Sequence, residues 1–171
     1  MEHYIKHCLH NTVARALRRA PRVVLAAAVC CLPMAAVQAH HSFSMFQRDT
    51  QMVVVGTVER WAFNNPHAWL YIKAPDESGE VVTWGFEGGA PPQLVRNGVT
   101  GRSFEHGDEV TVMFSPLVDG RPGGALCWVK TGGEYLRPAD GGCGDREPDS
   151  IERWERWLEM GITSNKDPRA R

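Results

Sequence analysis

The sequence predicts a small all-β barrel followed by a helical tail. Three observations point there. Alternating apolar and polar residues recur in short runs between positions 52 and 130. All 17 glycines and nine of the eleven prolines lie beyond residue 39, as suits short strands joined by turns. A strong helical spacing of large apolar residues comes only after residue 149.

Five strands are expected. The first runs from Met52 to Trp61, where Val54, Gly56 and Val58 alternate with Val53, Val55 and Thr57. The second is His67 to Lys73. Its Ala68, Leu70 and Ile72 share one face, and His67, Trp69 and Tyr71 share the other. The third, Glu80 to Glu87, puts Val82, Trp84 and Phe86 together. A Gly107-Asp108 turn precedes the fourth, Glu109 to Phe114, and Ala125 to Lys130 is the fifth. Between strands three and four lies PPQLVRNG, residues 91–98, with proline at its start and glycine at its end; this predicts a helix of one or two turns. Five strands with a helix between the third and fourth is the order of an OB-like barrel. Trp84, Phe86 and Phe114 are expected in its core.

The tail, residues 132–171, begins as a loop. Asp149 and Glu152 suggest a capping box for an amphipathic helix. Ile151, Trp154, Trp157 and Leu158 form its apolar stripe, Glu152 and Arg156 are spaced to pair, and Gly161 is placed to stop it. The two tryptophans are expected to dock on the barrel. Residues 164–171 are expected to fray.

The front of the chain is different. Lys6, Arg15, Arg18, Arg19 and Arg22 face one acid, Glu2, within residues 1–22. Val23 to Val37 is then uncharged and mostly apolar, short for a membrane span and suited to a signal peptide. Val37-Gln38-Ala39 offers small residues for signal peptidase. Residues 1–39 therefore read as a signal peptide cut at Ala39-His40, leaving a periplasmic or secreted protein with a barrel domain at 40–131. Cleavage removes five of the 19 basic residues and one of the 20 acidic ones, so the formal charge moves from −1 to −5. Nucleic acid is disfavoured as a partner. Three of five cysteines also leave. Cys127 and Cys143 remain, an even pair for an oxidising compartment, and predict a disulfide. Closing that loop is worth about 3 kcal/mol by the chain-entropy account.

Four histidines stay in the mature chain: His40, His41, His67 and His106. With the cut after Ala39, His40 presents a free α-amine beside its own Nδ1. That pair chelates one ion, and a third imidazole completes a histidine brace. Nitrogen donors in one plane favour Cu(II), with zinc as the alternative. His41 offers another chelate through the His40–His41 amide. His67, in the Asn64-Asn65-Pro66-His67 turn, is the best third ligand. Glu87 is a further oxygen donor or a hydrogen-bond support for a ligating histidine. His106, beside Glu105 and Asp108, is expected on a solvated turn.

HHSF at the mature start, then NNPHAWLYI, WGFEGGAPPQL, GDEVTV and DGRPGG, resemble a family of small exported bacterial proteins of uncharacterised function. The resemblance spans about residues 40–131. Its shared segments contain His40, His41, Pro66, His67, Trp69 and Glu87, and it carries no established activity. The tail looks like an extension beyond it.

The first functional reading is a periplasmic protein binding copper, or another transition metal, through His40, His41 and His67. The alternative is an OB-type binding module, with Trp69 and Tyr71 contacting a saccharide, a peptide or a protein partner without catalysis. An oxidative enzyme built on a braced copper ranks last, because a brace alone specifies no chemistry.

Overall fold

The computed structural model describes residues 43–144 and 149–170. The leader predicted at 1–39, with His40 and His41, lies outside them. Six strands form one sheet: β1 (Met52–Ala62), β2 (Trp69–Pro75), β3 (Val81–Glu87), β4 (Glu109–Pro116), β5 (Gly123–Thr131) and β6 (Glu134–Leu136). Their order is β3-β2-β1-β4-β5-β6, and a parallel β3–β5 pairing closes the first five into a barrel. The short helix α1 (Pro91–Arg96) lies between β3 and β4. The tail helix is α2 (Ser150–Glu159). The expected barrel and helices are therefore present. β6 is an addition, a three-residue return pairing that extends β5 outside the barrel.

Closure depends on a close backbone approach. Gly123 has φ +141°, and a Cβ there would meet the Gly85 carbonyl oxygen well inside contact distance. Only glycine lets β5 come this near β3.

Two β-bulges sort the side chains into two cores. In β1 the register with β2 shifts between Val58 and Arg60, which re-aims the second half of a long strand. In β5 the shift leaves Cys127 as the extra residue, since Met113 faces Trp128 and Phe114 faces Leu126. Cys127 and Trp128 consequently share the outer face, while Leu126 and Val129 point inward. The inner core stacks Leu70, Ile72, Phe86, Val112 and Phe114, all fully buried. Trp84 packs at its margin, partly buried. Leu94 of α1, with Val99 and Phe104, plugs one end.

The outer core lies under α2. Trp154 and Trp157 are buried against Val53, Met113 and the two cysteines. Cys127 and Cys143 are disulfide-bonded with Cα atoms 5.2 Å apart. The helix entrance departs from the expected capping box. Asp149 makes no side-chain cap bond; its carboxylate instead accepts from Arg153 Nη1 at 2.9 Å, an i, i+4 pair. Gly161, at φ +64°, ends the helix as expected.

Residues 164–170, expected to fray, are instead hydrogen-bonded onto the rest of the molecule. Val53 N donates to Thr163 O at 2.8 Å, and Ser164 bridges Met52. The Asn165 side chain exchanges hydrogen bonds with Gln51: Gln51 N donates to its Oδ1 at 3.1 Å, and its Nδ2 donates to Gln51 Oε1 at 2.6 Å. Trp157 Nε1 donates to Ala170 O at 3.2 Å. The chain end thus caps the start of β1 and satisfies backbone groups that would otherwise face water. Among the described residues, no helix is long and apolar enough to cross a membrane.

Candidate metal centre

His67 enters its site from the turn between β1 and β2. The Asn65–Pro66 peptide is cis. Beyond the turn the ladder begins before β2 proper: Ala68 N donates to Gly89 O and Gly88 N to Ala68 O. This brings Glu87, Gly88 and Gly89 alongside His67. The alternation read from the sequence holds here. Ala68, Leu70 and Ile72 are buried inward, leaving His67, Trp69 and Tyr71 on the opposite, half-buried face.

The His67 imidazole is only 14% exposed, and three oxygens surround its Nδ1. Glu87 Oε1 lies at 2.9 Å, Gly88 O at 3.1 Å and Asp140 Oδ2 at 3.4 Å. A proton on Nδ1, which the neutral tautomer also carries, is donated into this acceptor set. Without the proton, the nitrogen lone pair and carboxylate oxygens converge on one point. His67, Glu87 and Asp140 each offer one ligand atom, all within 4.8 Å of one another.

Asp140 is the member that sequence reading missed. It comes from the tail loop ADGGCG, and the loop is firmly built. Gly89 N donates to Pro138 O at 2.9 Å. Gly142 N donates to Asp140 Oδ1 at 2.6 Å, which leaves Oδ2 facing His67. Three residues on, Cys143 is bonded to Cys127, and Gly144 N donates to Ser115 Oγ at 3.1 Å. A signal was present, because the predicted disulfide ties Asp140 to the barrel. Which barrel end it faces follows from the β5 bulge, and spacing does not reveal that.

The start of the described chain passes the same loop. Phe43 rests on Gly141, so closely that a Cβ there would lie 2.6 Å from Phe43 Cζ. Phe46 pairs with Leu117 and packs beside Gly142. His106, by contrast, sits at the β1 bulge, its Nδ1 3.0 Å from Glu59 O, on an exposed turn. Trp69 and Tyr71 stand side by side, ring centroids 6.1 Å apart, with the Arg60 guanidinium 4.1 Å from the Tyr71 ring centroid.

Residues 27–126 match a family of unknown function, DUF6152. The chain belongs to DUF6152. No curated protein matches it. The DUF6152 match includes His67, Glu87, Trp69 and Tyr71 and ends one residue before Cys127. Both disulfide cysteines, Asp140 and α2 therefore lie beyond it. The candidate centre joins two residues of the family region to one from the tail.

Proposed function

We propose that this DUF6152 protein is an exported metal-binding protein, for copper first and zinc second. In this reading the leader is cut at Ala39-His40. The α-amine and Nδ1 of His40 supply two nitrogens, His67 supplies a third, and Glu87 and Asp140 supply oxygens or hold the imidazole. His41 competes with His40 or assists it.

The convergence of His67, Glu87 and Asp140 carries the proposal. Donors bonded to one ion at about 2.0–2.2 Å stand about 2.8–3.6 Å apart in planar or tetrahedral arrangements. The 2.9 and 3.4 Å separations already fall in that range. The donor set bears on which metal is preferred. One imidazole with two carboxylates suits zinc, whereas two further nitrogens from His40 shift preference to Cu(II).

The test is competition titration of Cu(II) and Zn(II) into protein recovered after export. The proposal expects one tight equivalent of copper. His67→Ala should weaken it by about 10- to 100-fold, as removal of a ligand or its close support does. His106→Ala should leave it unchanged. Equal copper affinity in wild type and His67→Ala, or an equal loss in both variants, would contradict the assignment.

A further inference from the structure

One cleft of the molecule shares no lining residue with the candidate centre. Trp69 and Tyr71 form one wall of a cleft of about 350 Å³, within the usual range for small-molecule sites. Phe46, Leu117 and Pro122 belong to the same lining. The lining also includes Gly85 and Gly124, on the parallel strand pair that closes the barrel. Closure demands small residues along this seam, so the cleft is bare of side chains where the two strands meet.

The chemistry of the lining narrows the occupant. The walls are aromatic and aliphatic. Thr83, a hydroxyl residue at the cleft, is already engaged: Lys73 Nζ donates to its Oγ1, which donates to Glu59 Oε2. A saccharide would bring many hydroxyls and find few partners, at a cost for each one desolvated. A flat ring with two apolar faces loses nothing there. One lining residue carries charge, and it is partly offset by a neighbouring carboxylate. Arg121 is the charged residue of the lining; its Nε goes to Asp119, which leaves the Nη groups to form a fork. Arg60 stacks on Tyr71 and makes that ring's surroundings electropositive. No acid lines the cleft among the described residues, although the mature chain carries a formal charge of −5.

We propose that this cleft binds a planar aromatic carboxylate, the ring against Trp69 and Tyr71 and the carboxylate at Arg121. The test uses 2-naphthoate with chelator-washed protein, so the outcome is independent of any metal. Naphthoate should shift the backbone amide resonances of Gly85 and Gly124 and quench tryptophan fluorescence saturably. The neutral 2-naphthamide should bind roughly tenfold more weakly, because a charge-assisted contact is lost. Gly85→Ala is the blocking variant. Its added methyl lies 3.4 Å from Tyr71 Cε1, an ordinary contact, and fills the space above the strand. It should weaken naphthoate by about tenfold or more, with the thermal transition retained. Shift mapping on the unaltered protein decides the matter even if that variant folds poorly. Shifts centred elsewhere, equal binding of acid and amide, or binding of an oligouronate in the cleft without binding of naphthoate would overturn the proposal.

Discussion

The barrel and the tail are held by different physics. Strands β1 to β5 are joined by continuous backbone ladders around a fully buried inner core. Among the described residues beyond β6, none forms a strand ladder. They stay in place through one disulfide, two tryptophans laid on the outer face and the Asn165–Gln51 exchange. The candidate centre lies where the two regimes meet. Rigid backbone supplies His67 and Glu87, and a covalent tether supplies Asp140. A short barrel thereby gains a second half-buried carboxylate beside Glu87 of its own strand β3.

Removing an inner-core ring should have the largest effect, because it tests the regime on which the tail itself rests. Phe86→Ala should cost about 3–5 kcal/mol in denaturant unfolding, with barrel and tail lost together. A tail that unfolded separately at lower denaturant would show the two regions to be less coupled than described.

Cutting the tether comes next. Cys127→Ser with Cys143→Ser should cost about 2–4 kcal/mol, mainly by freeing the unfolded chain. Native-state hydrogen exchange should show Gly142 and Gly144 losing protection while Leu70 and Phe86 keep theirs. Uniform loss would contradict the separation of the two regimes.

Asp140→Asn changes one oxygen of the centre and little else. Copper affinity should fall about tenfold with stability nearly unchanged, read by competition titration and thermal unfolding. An affinity equal to wild type would assign Asp140 to packing alone.

The smallest effect concerns the exposed chain end. Arg169 hydrogen-bonds Asp167 and holds its carboxyl down to about 2. Because the folded value is lowered, the pair's contribution is present above the usual carboxylate range and is lost as pH falls towards 2. Arg169→Gln should return the Asp167 titration, followed by carboxyl carbon NMR, towards the usual value of 3.8, with only a slight change in acid stability.

Local patterns made much of this molecule legible. Alternation in LYI of β2 gave the inward face, Pro91 and Gly98 framed α1, and the Trp154/Trp157 stripe gave the docked helix. The failures have two causes, one local and one long-range. The Asp149 carboxylate had two local partners to choose from and pairs with Arg153 in place of the cap. Residues 164–170 looked polar and terminal, yet Asn165 bonds the backbone of Gln51, just before β1 and more than a hundred residues away. Asp140 reaches His67 only because a bulge turns Cys127 outward. The Asn165 and Asp140 contacts depend on tertiary proximity, which no short-range pattern encodes, whereas Asp149 chooses between two neighbours on its own helix.

The central claim is that a new chain start at His40 completes the centre around His67. Electron spin resonance of Cu(II)-loaded exported protein tests it most directly, with the first residue verified by mass spectrometry. The account predicts hyperfine structure from three nitrogens, reduced when a single alanine is placed ahead of His40. A mature protein that begins elsewhere, or a spectrum indifferent to that alanine, would contradict it.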